Sequence, residues 1–252
     1  MVKKHSICIA IDGEAAAGKS TIGQMLAERM GYLYFDTGVM YRAVTWAAQQ
    51  RGVDVTDEMA VTALAESLDI RVTPPTRAPC APLQEQGTIE NRGLPQDGRQ
   101  YTVRADGVDV TWATREPTVD GAVSIVAAYP GVRRALAEQQ RHVARAQDVV
   151  MVGRDIGTFV MPDADLKIYM RASAQERARR RCAERQARGD DGSYDVVLAS
   201  MQQRDYIDSH RAVAPLRAAA DAVMVDTDGL GAEEVLARVV ALVNERILPC
   251  AA

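Results

Sequence analysis

An apolar run that breaks into a glycine-bounded turn ending in lysine leaves few ways for the surrounding chain to fold. Ile7–Ile11 reads as a buried strand and Thr21 onward has a helical period; between them lies Gly13-Glu14-Ala15-Ala16-Ala17-Gly18-Lys19-Ser20. This is the spacing G-x-x-x-x-G-K-[ST] in a strand–turn–helix context, which raises the match above chance. Gly13 and Gly18 allow backbone angles that turn successive N–H groups inward as a nest for oxygen anions. The helix that follows adds the positive end of its dipole. Lys19 is placed to reach β- and γ-phosphates, and the Ser20 hydroxyl to ligate Mg²⁺. Residues Gly13 to Thr21 are therefore expected to bind a nucleoside triphosphate.

Further apolar runs, Tyr32–Phe35, Val149–Val152, Leu166–Met170 and Ala222–Val225, read as buried strands. Helical patterns fall between them at Ser20–Met30, Met40–Arg51, Asp57–Leu68, Gly131–Ala146, Ala174–Arg188 and Ala232–Arg246. The alternation predicts an α/β fold with a parallel sheet covered by helices on both faces. One segment interrupts it. Between Val72 and about Asp109 prolines and glycines destroy any helical period, while Tyr101–Val110 alternates around an Asp-Gly turn as a strand pair does. The expected organisation is a core over residues 1–70 and 118–252, with a small β-containing insertion over 71–117. The tip of that insertion, a Pro/Gln-rich stretch at 74–98, is expected to be flexible.

Composition narrows the partners. The 30 lysines and arginines against 34 acids give a net charge of −4, so no overall basic field recruits nucleic acid or an anionic membrane. Aromatic residues at 5% argue against a stacking platform for single strands. An anionic ligand must instead be held by a local cluster of cations. Cys8, Cys80, Cys182 and Cys250 are too scattered for a zinc site or a disulfide framework, and Cys8 reads as a small core residue. No secretory or membrane-spanning segment is seen, so a cytoplasmic location is expected.

Arginines supply the local cluster. Arg154, Arg177, Arg179, Arg180, Arg181, Arg204, Arg211 and Arg217 crowd the last third of an acidic chain. Planar guanidinium forks suit phosphate oxygens, and two phosphate-bearing substrates account for this density better than one. Arg179, Arg185 and Arg188 fit a solvated helix face, whereas Arg154, Arg204 and Arg211 are expected in loops beside Asp155, Asp208 and Pro215. At this level a kinase of another small acceptor, such as a sugar or adenylylsulfate, and a non-catalytic nucleotide-binding module both stay open.

Longer motifs carry a resemblance. Asp36-Thr-Gly-Val-Met-Tyr-Arg42, Val123-Ser-Ile-Val-Ala127 and Gly153-Arg-Asp-Ile-Gly-Thr158 follow the glycine-rich turn. Then come Arg204-Asp205, Asp208-Ser209, Arg211 and Ala214-Pro-Leu216. In this order they resemble bacterial cytidylate kinase, a nucleoside monophosphate kinase. The resemblance implies a P-loop kinase fold with a monophosphate-binding insertion and a short helical lid, here about 174–192. It implies a monomeric enzyme that uses ATP with Mg²⁺ to phosphorylate CMP or dCMP. Arg42, Arg154 and Arg211 would hold the acceptor phosphate; Ser124, Arg133 and Asp155 would read cytosine; Arg204 and Asp208 would contact ribose, with Thr37 and Tyr41 completing the site. Lys19, Arg154, Arg177, Arg181 and Arg211 would serve catalysis, Arg177 and Arg181 by closing over the triphosphate. Two residues depart from the family pattern: Glu14 replaces the usual proline and Val152 the usual aspartate. Glu14 is expected to point to solvent, since a carboxylate turned inward would oppose ATP.

Overall fold

The computed structural model describes residues 6–73, 99–187, 189 and 193–247. The first half runs β1 (Cys8–Gly13), α1 (Lys19–Met30), β2 (Leu33–Asp36), α2 (Gly38–Gln50) and α3 (Glu58–Ser67). After it come β3 (Ile70–Thr73), β4 (Thr102–Ala105), β5 (Val108–Asp109), α4 (Pro117–Val126) and α5 (Pro130–Ala146). The last part runs β6 (Val149–Val152), β7 (Leu166–Arg171), α6 (Ala174–Gln186), α7 (Tyr194–His210), β8 (Val223–Asp226) and α8 (Ala232–Arg246).

Five strands form one parallel sheet in the order β2-β6-β1-β7-β8. β1 lies in the middle, with Ile9 level with Val150 on one side and Leu166 on the other. Strands enclosed on both faces by helices need apolar residues at successive positions. This is why Cys8–Ile11 and Val149–Val152 show no polar alternation, and all of these residues are buried. Each expected strand forms within one or two residues of its predicted limits.

β3, β4 and β5 make a second, antiparallel sheet. Asp106 and Gly107 both take positive φ, 48° and 81°, in the two-residue turn that joins β4 to β5. This is the geometry an Asp-Gly turn favours. The expected flexible tip at 74–98 lies outside the described residues.

Two helices were not legible in the sequence. In α4 a proline and a glycine blur the period, and α7 buries only Val197, Met201 and Asp208. Arg204 accordingly sits on a helix, not in the loop expected for it. Trp46 packs against the core, whereas Trp112 is 44% exposed and carries the Arg115 guanidinium 4.9 Å from its ring centre. Apart from the main core, Ala15 of the glycine-rich turn packs with Ala178, Val197 and Met201 of α6 and α7. Among the described residues no helix is long and apolar enough to cross a membrane.

Candidate active site

The turn between β1 and α1 is shaped by positive φ angles at three points. Gly13 has φ 144°, and a Cβ there would fall 2.0 Å from the Met170 carbonyl oxygen; Gly18 has φ 90°. Ala16 also enters the left-handed region, at φ 57°, against the preference of a residue with a Cβ. Helices α3 and α6 have their first-turn amides capped by the Asp57 and Ser173 side chains, but α1 begins at Lys19 with no side-chain cap. Its free N–H groups and dipole make it a site for an anion. Lys19 is buried, and its Nζ donates to the Glu14 carbonyl at 2.5 Å. Burial, with repulsion from Arg154, holds its pKa well below the ordinary lysine value.

Parallel strands release their loops at one edge, so the chain leaving β1, β2 and β6 converges at the carboxyl ends of three neighbouring strands. There, α4, α5 and α7 close a cavity of about 210 Å³. Ala15, Ala16, Lys19 and Ser20 enter it from the glycine-rich turn. Thr37, Tyr41 and Arg42 come from the β2–α2 segment, and Ser124 and Arg133 from α4 and α5. Arg154 and Asp155 follow β6, while Arg204, Asp208 and Arg211 line the wall formed by α7 and its end. All ten residues assigned to the acceptor thus share one cavity. Its lining holds seven cations against three carboxylates, a strong local excess in a chain of net charge −4.

The cations are of two kinds. Some are tied down. Arg154 donates to Asp208 and to the Gly13 carbonyl, both at 3.0 Å, and Arg42 pairs with Asp120 at 2.5 Å. Asp155 is buried between Arg133, 2.5 Å away, and Arg211, 3.5 Å away. Arg133 Nη2 and Asp155 Oδ2 are the atoms of the closer pair, whereas Arg211 Nη2, buried and at 3.5 Å, makes no hydrogen bond among the described residues. That nitrogen keeps bonding capacity toward the cavity. Others are loose. Arg204 makes no hydrogen bond or ion pair among the described residues, and burial beside Arg154 pushes its pKa down to about 10. Burial and the Arg133 charge lower Arg211 as well. Asp208 is raised by burial, but Arg154, Arg211 and Arg204 outweigh that and hold it below the usual carboxylate range. Cations that destabilise one another in this way favour a polyanion among them.

The two arginines expected to close over a triphosphate differ in placement. Arg181 lines the cavity with its side chain 39% exposed. Arg177 is buried away from that lining and pairs with Glu14 at 3.2 Å and Asp205 at 2.7 Å. Glu14 therefore does not simply point to solvent as expected; it is partly exposed, and its carboxylate pairs with Arg177.

The chain matches the cytidylate kinase family over residues 9–245. It is 51% identical to the cytidylate kinase of Chloroflexus aggregans over 228 residues, 90% of each chain. It is 49% identical to that of Roseiflexus castenholzii over 238 residues, 94% of each. With the cytidylate kinase of Geobacillus thermodenitrificans it shares 46% over 244 residues, 97% of this chain and 99% of that one. The chain belongs to the cytidylate kinase family.

In this family member, four residues hold places at the site to which sequence reasoning assigned no role. Asp12 is buried and accepts the N–H groups of Ile156 and Gly157 at 2.8 and 2.7 Å, anchoring a π-helical turn, Ile156–Val160, beside Asp155. Its place immediately before Gly13 was the available signal. Asp205 gave none beyond lying next to Arg204. Arg180 and Thr227 meet in a second, mainly apolar pocket of about 160 Å³ on the other side of the glycine-rich turn. Ala17, Gly18 and Thr21 line this pocket and not the first. Gly13 and Glu14 line neither.

The residues present fit a magnesium ion. Ser20, at the start of α1, offers a hard hydroxyl ligand on the cavity wall. That donor set suits an ion that takes most of its ligands from phosphate oxygens and water.

Proposed function

We propose that this protein transfers the γ-phosphoryl group of ATP to CMP or dCMP, giving ADP and CDP or dCDP. One observation carries the reading: a cavity rich in buried, mutually repelling cations opens directly onto the uncapped N-terminus of α1. The donor phosphates lie along residues 13–21 against Lys19, and the donor base enters the apolar pocket beyond Gly18. In the cavity the acceptor phosphate meets Arg42, Arg154 and Arg211, and its ribose meets Arg204 and Asp208. Its base lies between Ser124, Arg133 and Asp155, with Thr37 and Tyr41 behind.

Phosphoryl transfer asks mainly for in-line positioning and neutralisation of charge spread over the transferred group. Lys19, Arg154, Arg181 and Arg211 supply cations around that group, and no strong general base is needed. Magnesium held at Ser20, when bound, would neutralise charge on the donor phosphates. A carboxylate at Asp155 accepts from the cytosine amino group, whereas uracil would turn a carbonyl lone pair toward it.

The segment 71–117 is proposed as the monophosphate-binding part, although the acceptor contacts named above all lie outside it, and about 174–192 as the lid. Action as a monomer is part of the same proposal. A buried, unpaired Cys8 and substrates that are free nucleotides support a cytoplasmic place in pyrimidine nucleotide metabolism. Release of ADP measured with CMP, dCMP, UMP and AMP tests the reading. Rates should be high with the cytidine nucleotides, lower with UMP and small with AMP; equal rates for all four would refute the base assignment.

A further inference from the structure

Arg177 has a buried guanidinium whose partners come from three separate places. Its Nε donates to the Ala172 carbonyl at 3.0 Å and approaches Glu14 at 3.2 Å. Its Nη1 reaches the Ala15 carbonyl at 3.3 Å and Asp205 at 2.7 Å. The side chain is 4% exposed. Glu14 and Ala15 belong to the phosphate-binding turn, while Asp205 belongs to α7. An apolar contact runs in parallel, since Ala15 packs with Ala178, Val197 and Met201 on α6 and α7. The outer half of the turn is thus fastened to the α6–α7 hairpin by both a charge network and a small core of its own.

That hairpin carries the cavity's arginines. Arg181 is one helical turn past Arg177, and Arg204, Asp208 and Arg211 flank Asp205 on α7 and at its end. We propose that Glu14, Arg177 and Asp205 couple the two substrate sites, so that a triphosphate seated in the turn orders the α6–α7 hairpin and raises affinity for the monophosphate. These are positioning residues, acting through the groups they hold.

A coupling of this kind needs a contact that differs between the bound and free states. Lys19 supplies it: its Nζ is bonded to the Glu14 carbonyl at 2.5 Å, a bond that donor phosphates compete for. Release of that carbonyl is felt at once by the Glu14 side chain and by Arg177. Loss of either carboxylate leaves a buried guanidinium short of charge, which loosens the joint without touching any cavity-lining group. By linkage, the monophosphate must favour the triphosphate by the same factor.

The proposal rests on the donor lying in the turn and the acceptor in the cavity, and two measurements separate its failure from theirs. Hydrogen exchange with a non-hydrolysable ATP analogue, no monophosphate present, should show amides of α6 and α7 protected in the wild-type enzyme. That protection should be largely lost in Glu14→Gln, a near-isosteric change at a partly exposed site. Calorimetric titration of CMP with and without the analogue should give Kd values differing by about 5- to 20-fold in the wild type. The ratio should fall below about twofold in Glu14→Gln and Asp205→Asn, with the Kd for CMP alone nearly unchanged. Protection in Glu14→Gln equal to that of the wild type, or a Kd ratio the variants retain, overturns the coupling, whatever happens to Tm. Failure of CMP to bind the wild type overturns the acceptor assignment, and the exchange measurement still decides the coupling.

Discussion

Arg154 donates from Nη1 to the carbonyl oxygen of Gly13 at 3.0 Å, so a side chain of the acceptor wall grips the first glycine of the donor turn. Its Nε binds Asp208 at the same distance, which fixes the plane of the fork. A cation in this place would serve both phosphates of the proposed reaction, and it is held by protein groups beforehand. Removal of one preorganised donor at a developing charge costs about 10²–10³ in kcat. Arg154→Met should lose turnover by that factor and weaken CMP binding, with Tm changing little. Arg154→Lys should recover only a small part, because an ammonium cannot bridge Gly13, Asp208 and a phosphate at once. Steady-state ADP release for both variants measures this; a Lys variant close to wild type would remove the fork from the mechanism.

Asp155, between Arg133 and Arg211, is the one carboxylate in the cavity flanked by two buried guanidiniums. If it accepts from the cytosine amino group, an amide in its place can meet either pyrimidine. Discrimination from one well-made base contact is about 1–3 kcal/mol. Asp155→Asn should therefore narrow the CMP-to-UMP ratio of kcat/KM by tenfold or more. A ratio kept at the wild-type level would show that the base is read elsewhere.

The residues that could be read in advance are those whose role is imposed by local chain geometry. Gly13 and Gly18 were legible because only particular backbone angles form an anion nest, and the strands because burial on both faces forbids polar alternation. Asp106-Gly107 was legible because its turn needs two positive φ angles. What stayed hidden depends on contacts across long separations. Asp12 reaches Ile156 and Gly157 over more than 140 residues, and Arg177 finds Glu14 only after the sheet has formed. The helix carrying Arg204 shows little period because it buries only Val197 and Met201 against apolar neighbours, and the rest of its surface meets polar groups or solvent. Ser124 stands between the apolar residues Val123 and Ile125, and it is the convergence of α4 on the β6 loop that brings it into the cavity.

Val152 sets a packing test at the end of β6. A Cβ on Gly23 of α1 would lie 2.5 Å from Val152 Cγ2 and 3.2 Å from the Tyr34 ring. Alanine is favoured over glycine inside a helix by about 1 kcal/mol, whereas overpacking a core costs about 1–3 kcal/mol. The valine methyl belongs to a buried strand that cannot move aside, so the clash wins. Gly23→Ala should lower stability, and Val152→Ala added to it should restore part of the loss. Denaturant unfolding of both single variants and the double should give a coupling of at least about 0.5 kcal/mol. Strict additivity would mean that the helix shifts to make room.

Asp12 makes stability depend on pH in an unusual direction. Burial raises its pKa from 3.8 to about 6, against the two amide bonds that lower it and with the nearby Asp155 charge adding to the rise. The folded protein therefore holds this proton more tightly than the unfolded chain does. The resulting stabilisation is full below about pH 3.8 and is lost as pH rises through about 6. The gap corresponds to about 3 kcal/mol. Asp12→Asn cannot ionise, and it accepts only one of the two amides, which is a cost that does not vary with pH. The variant should be less stable than the wild type at pH 4 and should close the difference by roughly 6–12 °C in Tm by pH 7. Thermal unfolding of both proteins across that range measures the change. Parallel curves would show that the carboxylate stays ionised in the folded state, its two amide bonds outweighing its burial.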